Sequence, residues 1–366
     1  MKRFLIRFLT VSLAVLFTVL ATGCVPPTIL SFNNDFAGGS NPSDITGGSR
    51  AYTEELIYDV EYVEKYNDAI SKSSTVTATI PKYQGTFVST FTDTKPNDID
   101  ISLSDISNNV DFDKGNIYYL KTVLDLTVTA ESIDKTYNDI IVSETCFYQQ
   151  SLSYAPIWSK TYMKMTFFDL SAQDLDPVQD IYQFETLYNT ASYTINSKIY
   201  ENVNSEDIGE PSQTSQKTYE YTLKTLIDNN QLFFILRNIK YNTQQVNNDK
   251  VQQDVYLPTV SFAYGEYKNL HVLVENEETY TFNYDLISGE KLDESERSSI
   301  PVNNVSFVLS ANEYRGTKKF IKIQKKQKTE QSEFKALPVE YAEPLIDQRM
   351  TTYGALKYTL KQAKYN

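Results

Sequence analysis

Leu56-Ile57-Tyr58-Asp59-Val60-Glu61-Tyr62-Val63 is the stretch that decides how this chain is read. Leu56, Tyr58, Val60 and Tyr62 alternate with Ile57, Asp59, Glu61 and Val63, the period of a strand that turns one face to a core and the other to water. Glu54 and Glu55 would also suit the first turn of a helix, which is the competing reading. The chain downstream favours the strand. Runs at Gly85–Thr92, Ile117–Thr129, Ile140–Tyr148, Ser159–Phe168, Tyr193–Val203 and Lys217–Leu226 are rich in Val, Ile, Tyr, Thr and Phe. So are Val251–Leu257, Asn269–Glu275, Thr279–Leu286, Val305–Leu309 and Lys319–Gln324, and clusters of Asn, Asp, Ser and Gly bound these runs. His271–Val274 and Thr279–Tyr284 flank Asn276–Glu278 at a hairpin spacing. Many successive strands with little helix between them predict a mainly β fold, a large antiparallel curved sheet or half-barrel with one or two helices.

The first helix is expected after Asp228. Asp228 stands at a cap position with Gln231 three residues on, a capping-box arrangement. Leu232, Ile235, Leu236 and Ile239 then share one helical face, spaced i, i+3, i+4, i+7. A hairpin turning at Asn229-Asn230 is the alternative, and the cap pattern favours the helix. The second is expected at Pro344–Ala363, where Pro344 suits a first helical position and Ile346, Met350, Tyr353 and Leu360 roughly share a face. Gly354 counts against it. The expected organisation is a leader at residues 1–23, a tether at 24–50, a β-rich domain at 51–325 and a helical or mixed C-terminal extension at 326–366.

The leader is read from charge and size. Lys2, Arg3 and Arg7 precede an uncharged, mostly apolar run from Phe8 to Thr22, and small residues then lead to Cys24. That order is a secretory signal rather than a buried helix. Leu20-Ala21-Thr22-Gly23-Cys24 resembles the lipobox of bacterial lipoproteins, with leucine one place earlier than the family favours. The resemblance implies that Cys24 receives a diacylglyceryl group and becomes the mature N-terminus, carrying acyl chains such as palmitate. It implies a protein anchored in the cell membrane on its extracytoplasmic face, in the cell envelope. Residues 25–50, rich in Pro, Gly, Ser and Asn and without periodicity, read as the tether that holds a domain off the bilayer.

Composition narrows the rest. Removing residues 1–23 from the 366 takes the formal charge from −13 to −16, because Lys2, Arg3 and Arg7 go with them. So acidic a surface repels nucleic acid, which is excluded as a partner. Lipidation of Cys24 leaves Cys146 as the other cysteine, so no internal disulfide can form. Stability must come from the core, and 28 Tyr and 19 Phe supply large buried area.

Little in the chain signals catalysis. His271 is the lone histidine, which leaves a triad or a histidine-based metal site one centre to work with. On a strand it would share a face with Leu273 and Glu275, an ordinary, partly exposed residue. Cys146 lies in an apolar strand and reads as a buried structural thiol. Asp111–Asn116 resembles a calcium loop, but Gly115 stands fifth where an EF-hand needs it sixth, so it reads as a solvated acidic loop. Arg315–Lys328 holds seven basic residues. It would suit lipid phosphates or an anionic polymer, and it reads better as an edge strand, Phe320–Ile323, guarded by lysines. No metal, cofactor or enzymatic activity is expected.

The layout of residues 54–292, an opening strand, long curved-sheet strands and then an Asp-capped helix, is similar to the lipoprotein-carrier (LolA-like) half-barrels of the envelope. That resemblance implies an open barrel that cups acyl chains against a helix. The expected function is non-catalytic binding of a lipid or other apolar ligand, with Leu232, Ile235, Leu236 and Ile239 as the ligand-facing residues. The alternative is a surface interaction or adhesion module that binds carbohydrate or protein through its sheet, and a hydrolase stands third.

Overall fold

The computed structural model describes residues 53–76, 79–92, 117–150, 153–168, 177–189, 194–202, 210–218, 226–239, 255–261, 266–310, 317–325, 336–346 and 351–365. The leader, Cys24, the tether and the acidic loop at Asp111–Asn116 lie outside them.

The described chain is one sheet that curls on itself without closing. Its first arm runs through β1 (Thr53–Val63), β2 (Lys82–Thr92), β3 (Ile117–Ala130), β4 (Lys135–Gln150), β5 (Ser153–Phe167), β6 (Val178–Asn189), β7 (Thr194–Glu201) and β8 (Gln213–Thr218). A two-residue strand, β9 (Ile227–Asp228), leads through a 3-10 turn at Asn229–Gln231 into α1 (Leu232–Asn238), the one α-helix among the described residues. The second arm holds β10 (Val255–Ser261), β11 (Glu266–Thr281), β12 (Ser299–Ser310), β13 (Lys319–Gln324), β14 (Pro338–Ile346) and β15 (Thr352–Tyr365). The order is β8-β7-β6-β5-β4-β3-β2-β1-β15-β14-β13-β12-β11-β10-β9, antiparallel throughout except where β9 pairs parallel with β10. Each arm is a meander of neighbouring strands, and the pairing of β1 with β15 joins the arms in the middle.

Alternation works as the sequence requires on β1. Leu56, Tyr58 and Val60 are 0–1% exposed while Ile57 and Asp59 between them are half-buried. The expected strands at Gly85–Thr92, Ile117–Thr129 and Lys319–Gln324 fall within β2, β3 and β13. Gly85 is set by proximity: a Cβ there would lie 1.9 Å from the Asp125 carbonyl oxygen of β3, so no larger residue fits that approach.

Four expectations are corrected. The described residues of 344–363 form no helix. Pro344 belongs to β14 and Tyr353–Ala363 to β15, which lies at the middle of the sheet rather than on an appended extension. β15 is buried on both faces along Tyr353–Leu356, a stretch that shows no alternation, and beyond it Leu356, Tyr358 and Leu360 alternate with Lys357, Thr359 and Lys361 as a strand requires. Pro344 is tolerated because it lies past the last β13 pairing, Phe320 with Ala342, where no strand among the described residues pairs with that side of β14. Gly354 sits at φ +125 with the Tyr62 ring over it, and a Cβ there would meet the Val63 carbonyl at 2.5 Å.

Asn276–Glu278 is no hairpin turn, because β11 runs straight through it with a register shift between Val274 and Asn276. The polar run is held by partners across strands: Asn304 donates to Asn276 at 3.0 Å, and Glu277 and Glu278 pair with Lys325 and Lys322. β13 is not an edge strand, since β12 and β14 flank it. Its lysines are neutralised instead, Lys318 by Glu275, Lys319 by Glu343, and Lys322 by Glu278 and Glu340. His271, expected to be partly exposed, is 8% exposed and therefore buried. Cys146 is buried at 2%, as its apolar strand implies.

Candidate functional site

The interior of the curled sheet is filled by α1. Asp228 caps the turn before it: its carboxylate accepts from the Asn230 N–H at 2.7 Å, and the Gln231 side chain accepts from the Asp228 N–H at 2.7 Å. This is the capping box read from the sequence, and the helix reading of this segment holds over the hairpin. Ile235, Leu236 and Ile239 are 0–2% exposed, and Leu232 packs, partly buried, in the same cluster.

The side chains that anchor the helix were not singled out in the sequence. Phe234 stacks on Phe91 with ring centroids 4.9 Å apart and meets Tyr154 edge-on at 5.1 Å, with Phe147 beside it at 5.0 Å. Phe233 sits edge-on between Tyr58 and Phe87. Aromatic pairs in these geometries contribute about 0.5–1.5 kcal/mol each beyond the area they bury. The signal was present, since Phe233 and Phe234 complete an apolar run from Leu232 to Leu236. A helix apolar on most of its surface is one enclosed on most sides.

Polar groups fasten α1 at both ends. At its start, Ser159 of β5 donates to the Asp228 carboxylate at 2.6 Å, and the Tyr188 hydroxyl of β6 donates to the same oxygen. Gln231 donates to the Tyr154 carbonyl at 3.2 Å and Asn230 to the Thr161 hydroxyl at 3.0 Å. At its end, Arg237 makes a two-pronged ion pair with Glu54 of β1, at 2.5 and 3.0 Å, and donates to the Ala336 carbonyl. Burial opposes the charge on Arg237, but Glu54 outweighs it and holds the guanidinium above its usual range. Burial pushes the Asp228 carboxyl above its usual value of 3.8, against the hydrogen bonds from Ser159, Tyr188 and Asn230 that favour the charged form.

These contacts show how the sheet holds its curl. β9 ends one edge of the sheet, whereas β5 and β6 lie near the other. No backbone ladder joins β9 to β5 or β6. Side-chain hydrogen bonds through Asp228, Asn230 and Gln231 form the seam.

A second concavity lies on the opposite face of β1. It is a cleft of ≈ 1070 Å³ between β1, β2, β15 and the loop after β11. Asp59 and Glu61 project into it, pointing away from Tyr58 and Val60. Lys82, Lys291, Arg297, Lys357 and Lys361 also line it, five cations against two carboxylates in a chain of net charge −13. Lys361 pairs with Asp59 at 3.3 Å and lies 5.8 Å from the Tyr284 ring, while the Tyr284 hydroxyl donates to Asp59. The loop is fixed to β15, since Ala363 N–H donates to the Leu286 carbonyl and Gln362 to the Ile287 carbonyl, both at 2.9 Å. Three separate segments supply the cations, so no local run could have revealed them.

No protein-family model matches the chain, and no curated protein is similar to it in sequence. In shape it is similar to the crystal structure of a β-barrel-like protein of the domain of unknown function DUF1849 from Brucella abortus. That likeness has 10% identity and a TM-score of 0.41, and covers 87% of this chain and 100% of that one.

Proposed function

We propose that the chain is a lipid-anchored protein of the extracytoplasmic membrane face that binds a lipid or other apolar ligand without catalysis, in the interior now filled by α1. The anchoring part is supported by the leader and the Leu20–Cys24 lipobox resemblance. The binding part is carried by one observation: α1 is fastened by polar groups at its ends and fills the curled sheet with apolar ones between them. Acyl chains that replaced Phe234, Ile235, Leu236 and Ile239 would keep the aromatic wall covered, so exchanging helix for ligand would leave little apolar surface wet. The unladdered seam at Asp228 is the place where the curl can open.

The test is direct. Residues 51–366, purified and extracted with organic solvent, should yield a co-purifying lipid by mass spectrometry. After delipidation the protein should take up a fluorescent fatty-acid analogue. A folded, delipidated protein that takes up no analogue, and whose extracts match those of an unrelated exported protein, would end the binding reading. Anchoring is tested apart: Cys24→Ser should leave the precursor uncleaved and without a lipid mass increment.

A further inference from the structure

The charge reversal in the cleft is not explained by the fold. Lys319 and Lys322 of β13 are each matched by a glutamate on the neighbouring β14, Glu343 and Glu340, which is how this sheet treats a cation that only has to be soluble. The cleft differs. Lys291 and Arg297, both exposed, have no ion-pair partner among the described residues. Lys82 is paired with Glu131, but the two side chains are 70% and 59% exposed, so that pair holds it loosely. Lys357 reaches Glu340 at 3.6 Å, while Lys322 holds the same carboxylate at 2.8 Å. Asp59 is occupied by Lys361 and Tyr284, which reduces the repulsion it offers an incoming anion. Between the charges stand neutral hydrogen-bonding groups, Gln84, Thr86, Thr127, Asn283 and Thr359. The loop carrying Lys291 and Arg297 is internally braced. Asp285 accepts from the Ile287 N–H and the Ser288 hydroxyl, and Asp293 and Glu296 form a second capping box.

We infer that this cleft is a binding site for a soluble, multiply charged anion built on a hydroxylated scaffold, a saccharide or polyol bearing phosphate or carboxylate groups. The cations supply charge-assisted hydrogen bonds from two walls, and the amides and hydroxyls suit the uncharged part of such a ligand. The volume lies just above the usual range for small-molecule sites, about 300–1,000 Å³, which suits several sugar-sized units. A concave site of this kind is closed to a flat bilayer surface, which favours a soluble ligand. The inference goes beyond the interior-binding reading and does not depend on it.

Calorimetric titration of the full chain with trigalacturonate, inositol hexakisphosphate and neutral maltotriose tests the site. At least one anion should bind and maltotriose should not. Binding should weaken as salt is raised, because exposed charges are screened beyond about 8 Å at physiological ionic strength. Lys291→Glu with Arg297→Glu should weaken the anion at least ~10-fold with the melting temperature unchanged, since charges that act on a ligand from an exposed rim contribute little to folding. The control, Lys198→Glu with Lys217→Glu, makes the same charge change at two exposed positions of β7 and β8 and should leave affinity within ~2-fold, beyond the reach of screened charge. As an independent readout, the bound anion should slow acetylation of Lys291 more than that of Lys217. Equal losses in the two double variants, equal binding of maltotriose, or binding only to vesicles of anionic lipid would overturn the inference.

Discussion

β1 carries two regions of opposite chemistry on its two faces. Inward, Glu54, Leu56, Tyr58 and Val60 meet α1 and the aromatic wall, and the one ion pair there is 2–3% exposed. Outward, Asp59 and Glu61 line a charged cleft, where the Lys361–Asp59 pair is more than a third exposed on both sides. The same type of contact, a cation on a carboxylate, therefore has two different roles. Inside, neither partner can be lost without stranding a charge in an apolar surround, so the pair fixes the position of α1. Outside, water and salt compete for each partner, so the pair contributes little to the fold and remains open to a ligand.

The comparison can be broken most forcefully from the inside. Arg237→Ala should destabilise the protein by about 3–5 kcal/mol, because Glu54 is left buried and unpaired. Replacing both partners with apolar residues, Glu54→Leu and Arg237→Met, should recover most of that loss, and urea titration of the three proteins decides it. Phe234→Ala should cost a similar ~3–5 kcal/mol through the cavity left among Phe91, Phe147 and Tyr154. If α1 only rested on the sheet, the loss would fall below ~1 kcal/mol, the scale of a surface substitution.

The seam gives a middle-sized effect with a pH signature. Asp228→Ala should cost about 1–3 kcal/mol, since Ser159 and Tyr188 lose their acceptor and the turn loses its cap. The folded-state pKa of Asp228 is raised above 3.8, so the folded chain holds that proton more tightly than the unfolded chain. Its stabilising contribution is fully present below the unfolded value and fades as pH rises through the raised folded value. Asp228→Asn should remove that part of the pH dependence, which is measured by urea midpoints between about pH 3 and 8. The smallest effect belongs to the outer face. Lys361→Ala should change stability by less than about 1 kcal/mol, and added salt should shrink even that.

How much of this was legible depended on whether the information was local. The β1 alternation, the Asp228–Gln231 capping box and the Leu232–Ile239 face are local patterns, and each is found where the sequence places it. β15 was misread because Tyr353–Leu356 is covered on both faces and shows no alternation, while the period of two in Leu356, Tyr358 and Leu360 against Lys357, Thr359 and Lys361 begins only after it. β6 passed unnoticed because Gln179, Asp180, Gln183 and Glu185 interrupt its apolar residues. The basic run at Arg315–Lys328 drew attention through density alone, yet its described lysines are cancelled by glutamates far away in sequence. The cleft was invisible for the opposite reason, because its cations are scattered over residues 82–361 and meet only in the folded sheet.

The joint between β1 and β15 sets an order of events. Glu54 pairs with Tyr365, so the first described strand is completed by the last. Each arm can zip as a row of local hairpins, but their union must wait for a contact spanning some 300 residues, the kind that slows folding most. A chain that emerges N-terminus first therefore carries β1 with one edge bare and Glu54 without its partner until residues 237 and 352–365 have followed. Through that interval the first arm presents an unpaired strand to whatever surrounds it, and a ribosome that releases the chain slowly lengthens the exposure.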